Sequence, residues 1–178
     1  MKQPVIGERK VVYENVFQRV CQVHVDFETH SRDHFVTDYQ HRAGVVVVHD
    51  GRVLMVRQYR LLIESLSLEI PGGLVDKGES PSEAAVRECL EETGVRCQDL
   101  QPLITYHPGL DTLYHPTHLF FSTHGAEAGE AFIHKEEVSE KVWMPIAQCR
   151  DMIFGGHIAD ALSIIALLSY ISKDRAPA

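Results

Sequence analysis

Apolar and polar positions along this chain follow a period of two in most segments and a helical period in three. Lys10–Phe17 and Val20–Glu28 read as strands, the second alternating through Val23, Val25 and Phe27. The polar run His30–Asp38 is expected to turn and lead into another short strand. Ala43–Val48 is almost wholly aliphatic, as in a buried strand, and Asp50-Gly51 makes a tight hairpin turn into Arg52–Arg60. Ser67–Pro71 is a short strand that delivers Gly72 and Gly73. Leu100–Tyr106 and Thr117–Ser122 are further strands, His124–Glu136 is loop-like in its Gly, Ala and Glu content, and Glu140–Met144 is the last strand. Pro145 opens a helix that Gly155-Gly156 closes, and Asp160 opens the final one. Ala159–Ile171 is apolar but short and carries Asp160 and two serines, so it is a core helix rather than a membrane span. Strands with a helix on either side predict an α/β fold, a three-layer α/β/α sandwich with a mixed sheet.

The third helix has the best-marked ends. Ser80 is the expected N-cap, Pro81 the first helical residue, Glu83 the partner in an S-x-x-E capping box, and Gly94 the terminator. The predicted helix is Pro81–Glu92. At 100° per residue, Arg87, Glu91, Ala84, Glu88 and Glu92 share one arc, and Ala85, Cys89, Val86 and Leu90 form the expected packing side. Glu88 and Glu92 stand one turn apart with Glu91 beside them, and such like charges repel. A divalent cation removes that penalty, and an all-oxygen donor set suits Mg²⁺ or Mn²⁺. A solvated acidic face is the plainer explanation of E-x-x-E-E taken alone. The glycine pair just upstream favours the cation, because it lets backbone approach a bound group.

Composition narrows the class. The 178 residues suit a single core; 44% are apolar and 24% charged, and the formal net charge is −8. Six acids and two bases fall within Gly73–Val95, so half the net charge sits in 23 residues. That concentration points to a cation and argues against a nucleic-acid surface. Residues 1–42 carry six acids and six bases, which sets them apart from the acidic remainder. The four cysteines form no C-x-x-C pair and read as reduced cytoplasmic thiols. Met1–Gly7 lacks an apolar run, and no secretory leader is expected. His115 and His118 in H-P-T-H form a close pair that could hold a transition metal, and the eleven histidines read instead as scattered surface groups. Trp143, Tyr13, Phe17 and Tyr39 read as core residues, one of the three N-terminal aromatics being a candidate to stack on a base.

Gly73, five residues, Glu79, seven residues, Arg87-Glu88, two residues, Glu91-Glu92, one residue and Gly94-Val95 together resemble the Nudix box, with Cys89 where a larger aliphatic residue is usual. The resemblance implies a Nudix hydrolase, which uses metal-activated water against a nucleoside diphosphate linked to another group. It implies that the Gly72 carbonyl, Glu88, Glu91 and Glu92 hold two or three Mg²⁺ (or Mn²⁺), with Arg87 and Glu91 in the catalytic apparatus. The run VRQYR, Glu69 ahead of Pro71, and Pro108 in Tyr106-His107-Pro108-Gly109 are similar to the ADP-ribose and nucleotide-sugar branch. Thr112 after Asp111 and Gly72 before Gly73 depart from that branch, which commonly has an acid and Ala-Gly, and leave room for a nucleotide hexose.

In that branch Arg60, then Arg57, would clamp the diphosphate, since guanidinium pairs bidentately with phosphate oxygens. Glu69 would either touch the base or ribose or form a strand salt bridge. Glu137 matches a loop glutamate that acts as base or metal ligand, with Glu136 and Glu140 as competitors. Residues 1–42 resemble the added strands through which ADP-ribose pyrophosphatases form a homodimer, ahead of a hydrolase domain at 43–178. The expected reaction is hydrolysis of a nucleoside diphosphate sugar to a nucleoside monophosphate and a sugar phosphate. Two alternatives are pyrophosphohydrolysis of RNA 5′ ends or dinucleoside polyphosphates, and a non-catalytic nucleotide sensor. Net acidity counts against the first of these and the complete carboxylate set against the second.

Overall fold

The structure, a computed structural model, describes residues 2–129 and 138–173. The chain divides into two compact units: one takes the segment up to His41 together with Tyr106–Pro116, the other Arg42–Thr105 with the residues from Thr117 on.

The first unit is a four-stranded sheet in the order β1 (Val5–Glu14), β2 (Arg19–Asp26), β3 (Ser31–Asp38), β10 (Leu113–Tyr114). The first three pair antiparallel, and β10 lies parallel to β3. Alternation along β2 buries Cys21, Val23 and Val25 on one face, where Phe27 and Val36 pack on them. β3 is a full eight-residue strand where a turn and a short strand were expected. Its polarity hides its period: His24 faces Asp33 across the ladder at 2.7 Å, and Gln22 donates to the same carboxylate at 2.7 Å. Cross-strand polar pairs here replace apolar ones.

The second unit is built on a seven-stranded mixed sheet. Its main path runs β13 (Val138–Pro145), β5 (Arg52–Arg60), β4 (Arg42–His49), β11 (Thr117–Ser122), β9 (Gln101–Tyr106), with β6 (Ser65–Glu69) paired to β5 and β7 (Gly72–Leu74) to β4. Parallel pairing of β11 with β4 makes it mixed. Asp50 and Gly51, both at positive φ, form the turn joining β4 to β5.

Two helices take opposite faces of β4. Ala43, Val45 and Val47 pack with Ala84, Ala85 and Cys89 of α1 (Pro81–Thr93). Gly44 points the other way, where a Cβ would meet Leu162 of α3 (Ala161–Lys173) at 3.1 Å. The α/β/α layering follows, with α2 (Ile146–Phe154) beside α3. Burial of each such Val or Leu contributes about 1.5–3 kcal/mol, which is why a strand buried on both faces reads as an unbroken aliphatic run.

His124–Glu127, read as loop, is strand β12 paired with β8 (Val95–Gln98). A Cβ at Gly125 would stand 3.0 Å from Val47 and 3.1 Å from Val95, so the small residue that makes the segment look like a loop is what lets it lie flat on the core. Among the described residues no helix is long and apolar enough to cross a membrane.

One polar chain ties α3 to the sheet. Asp160 accepts from the Ser163 amide at 2.8 Å and its hydroxyl at 2.7 Å, and that hydroxyl in turn accepts the Ile70 amide at 2.9 Å. Ser163 is fully buried. Ser163→Ala strands the Ile70 N–H and is expected to cost about 1–3 kcal/mol, read from the shift of a urea unfolding midpoint; an unchanged midpoint would refute the tie.

Candidate active site

The chain enters the site along β7. Gly72 and Gly73 are there for space rather than for unusual φ. A Cβ on Gly72 would fall 2.5 Å from the Ala43 carbonyl oxygen and 2.7 Å from Gly44 Cα, and one on Gly73 would overlap the Glu88 carboxylate. The glycine pair therefore lets a strand lie against β4 on one side and against the acid-bearing helix on the other.

Helix α1 starts and stops as its sequence dictates. The Ser80 hydroxyl accepts from the Glu83 amide, the Glu83 carboxylate accepts from the Ser80 amide at 2.8 Å, and Gly94 closes the helix in the left-handed region. Its buried arc differs from the one expected. Ala84, Ala85, Cys89 and Thr93 are fully buried, whereas Val86 and Leu90 are half-buried. The reason is the sheet: with Ala84 at one edge of the buried face and Thr93 at the other, Glu88 and Glu92 fall between them. These two acids face the sheet rather than solvent, which the polarity of their side chains conceals.

Arg87 holds the acids together. It donates to both oxygens of Glu79 at 3.0 Å, to Glu88 at 2.8 Å, to Glu91 at 3.1 Å and to the Leu74 carbonyl at 2.9 Å. These bonds hold the Glu79 carboxyl below its ordinary range and raise the guanidinium further above its own. Glu88 goes the other way: burial pushes it up, outweighing the Arg87 contacts.

Glu92 is held by neutral donors instead. Gln58 Nε2 donates to Oε1 at 2.7 Å, and the Gly72 amide donates to Oε2 at 2.9 Å. Burial, followed by the neighbouring Glu88 charge, pushes its carboxyl up to about 7. Gln58 carries no role in the motifs that mark the site in sequence. Its signal was parity: in Val56-Arg57-Gln58-Tyr59-Arg60 it occupies the inward position, and only 3% of it is exposed.

The same alternation sorts the arginines. Arg60, two residues from Gln58, lies on the Gln58 face and pairs bidentately with buried Glu69 at 2.8 and 2.6 Å. Burial raises the Glu69 carboxyl, but Arg60 more than offsets it and leaves it below its ordinary value. Of the two roles open to Glu69, the geometry supports the strand salt bridge. Arg57 leaves the strand on the opposite face and pairs with Glu140 at 3.4 Å, away from the carboxylates of α1, because neighbouring strand residues point oppositely. Pro108 lies in Tyr106–Pro116, which folds with the N-terminal sheet. Glu136 and Glu137 lie outside the described residues.

The donor chemistry fits a hard divalent ion: Glu88, Glu91, Glu92 and the Gly72 carbonyl supply oxygen only, on one helix and the strand packed against it. Among the described residues no three acidic, imidazole or thiol side chains already stand in a ligand cluster. Arg87 accounts for this, since it draws Glu88 and Glu91 onto itself. A cation would take over the charge neutralisation that Arg87 performs.

Comparison with known proteins agrees with this geometry. The family model described as NUDIX domain matches residues 38–162. A CMP-5′-(N-acetyl-N-hydroxy-3-aminopropyl)phosphonate hydrolase from Streptomyces rubellomurinus is 32% identical over 170 residues, covering 93% of this chain and 80% of that protein. An ADP-ribose pyrophosphatase from Bacillus subtilis is 29% identical over 106 residues, 60% of this chain and 55% of its own length. The fold resembles a solved ADP compounds hydrolase with a TM-score of 0.82 at 22% identity, over 99% of this chain and 97% of that one.

The raised carboxyl of Glu92 makes stability depend on pH. Its folded value of about 7 exceeds the ordinary 4.5, so the folded state binds the proton more tightly than the unfolded chain. The contribution is fully present below the ordinary value and is lost as pH rises through the folded one. In chelator, Glu92→Gln should gain stability over the parent between those two limits, by up to about 3 kcal/mol in denaturant titrations. A difference that stays flat with pH would refute the burial of that carboxylate.

Proposed function

The chain belongs to the Nudix family, and on that premise we propose that it hydrolyses the diphosphate bond of ADP-ribose or related nucleoside diphosphate sugars with Mg²⁺ as cofactor. One observation carries this: Glu88 and Glu92 face inward against the glycine strand, and Glu92, held there by neutral donors alone, is a buried acid whose charge a cation would offset. Glu88, Glu91, Glu92 and the Gly72 carbonyl would hold the cation. Bound there, it supplies a water of lowered pKa and offsets charge on the bridging phosphate oxygens. Mn²⁺ offers the same chemistry to the same donors.

The remaining roles fall to the chain itself. Arg87 keeps Glu79, Glu88 and Glu91 in register. Glu69 occupies Nε and Nη2 of Arg60, so Nη1 is the edge that Arg60 turns to a diphosphate oxygen. Glu137, with Glu136 beside it, is proposed as the base that takes the water proton. Pro108 is proposed to shape the terminal-ribose side. Water adds to one phosphorus and the bridging oxygen leaves with the other, giving a nucleoside monophosphate and a sugar phosphate.

The names of the relatives support this substrate class, and one of them widens it. The Streptomyces protein, which aligns over most of this chain, is a hydrolase of a CMP-linked phosphonate. Nucleoside monophosphate joined through an anhydride to a second phosphorus acid is the chemistry common to both names, so a nucleotidyl phosphonate is the second reading.

Homodimerisation through the N-terminal strands is part of the proposal. β1 is an edge strand exposed along its whole length, and it leaves Val5, Ile6, Val11, Val12 and Tyr13 to solvent. The cytoplasm is the proposed compartment, in keeping with four free cysteines.

Purified protein with Mg²⁺ should release AMP and ribose phosphate from ADP-ribose, or the matching pair from a nucleotide hexose or cytidylyl phosphonate. Dinucleoside polyphosphates and 5′-triphosphate RNA should turn over far more slowly, and Glu92→Gln should lower turnover by several orders of magnitude while the circular dichroism spectrum is kept. Full activity in that variant, or preference for RNA, would overturn the reading. Sedimentation should show a dimer that Val11→Lys weakens.

A further inference from the structure

The carboxylates of α1 are held in two different ways, and the difference singles out a residue with no role so far. Arg87, a cation, secures Glu88 and Glu91; among the described residues the hydrogen-bond donors to Glu92 are both neutral. Its two oxygens each receive one neutral N–H, from the Gln58 side chain at 2.7 Å and the Gly72 backbone at 2.9 Å.

Gln58 is unusual for its strand. Residues Val53–Val56 are wholly buried and apolar, and Gln58 is the next inward position, 3% exposed. Its backbone is flanked on both sides, by Ser67 of β6 and Val138 of β13. A side chain fixed so firmly at its root can present its amide in only a few places, and the amide goes to Glu92. Burying a primary amide costs free energy unless it is bonded, so Gln58 orders Glu92 as much as Glu92 satisfies Gln58.

A carboxylate offers about four lone-pair directions, so two neutral donors fix its plane and leave the other directions for a cation. An Arg or Lys in place of Gln58 would fix the plane but neutralise the charge that a cation needs. We propose that Gln58 is a positioning residue: it sets the orientation of the Glu92 carboxylate for a divalent cation and contributes to cation affinity without touching cation or substrate. The proposal rests on the cation-binding reading of the site above.

The test measures cation binding apart from turnover. Wild-type protein is titrated with Mn²⁺ by calorimetry and by electron paramagnetic resonance. Gln58→Met, close in volume but with no donor, is expected to keep its melting temperature within a few degrees and to bind Mn²⁺ about 10–100-fold more weakly. Gln58→Asn, whose amide is one methylene short of Glu92, should lose a comparable amount. In both, kcat should fall at limiting Mg²⁺ and recover at high Mg²⁺, with KM for substrate at saturating cation unchanged.

If either variant folds and binds Mn²⁺ within twofold of wild type, the proposal is overturned and Gln58 is only a satisfied core polar group. If wild type itself binds no Mn²⁺, the cation reading of the site fails, and the proposal with it. If neither variant folds, the wild-type Gln58 side-chain amide decides the question by ¹⁵N NMR. A resonance that shifts on Mg²⁺ titration supports the positioning role, and one that does not move overturns it.

Discussion

Like-charge repulsion on α1 is the constraint to which the rest of the second unit answers. Glu79, Glu88 and Glu91 all lie within hydrogen-bond reach of one guanidinium, and Glu92 stands one turn beyond Glu88. Without Arg87 the group would repel itself, and without an inward-facing position for Glu88 and Glu92 it would have no reason to be so crowded. The helix is stable because Arg87 neutralises Glu79, Glu88 and Glu91, Gln58 and Gly72 bond Glu92, and a capping box and a terminal glycine fix both ends. What remains unneutralised is the capacity to bind a cation.

Glycine supplies the other half of the geometry. An ordinary side chain at 72 would strike the backbone of β4, and one at 73 would displace Glu88. The strand can therefore bring the Gly72 amide against Glu92 of the helix only because neither position carries a Cβ. Strand backbone and helix carboxylate meet by close packing.

How much of this could be read from the residues depends on whether the information is local. Caps, turn residues and the spacing of the acidic helix are local, and Ser80, Pro81, Gly94 and Asp50-Gly51 behave as their chemistry requires. The buried strand β4 shows itself through its aliphatic run. The buried arc of α1 is not legible from polarity, because polarity does not decide exposure on this helix. Acids that face the sheet look, residue by residue, like acids that face water. Arg60 and Arg57, in that order, are both candidates for the diphosphate by position, and strand parity puts them on opposite faces. Gln58 had a readable parity but no reason to be noticed until Glu92 appeared opposite it. β3 and β12 were hidden for opposite reasons, one by cross-strand polar pairs and the other by a glycine flattened onto the core.

The serine that links α3 to the sheet carries a further implication. Ile70, whose amide it receives, lies two residues before Gly72, and the same serine is anchored by Asp160 at the start of α3. The floor beneath the proposed cation is thus pinned from a helix more than ninety positions downstream in sequence. Anything that frays the first turn of that helix, such as a fusion placed too close or a partner pulling on it, would slacken the glycine strand without touching a single carboxylate.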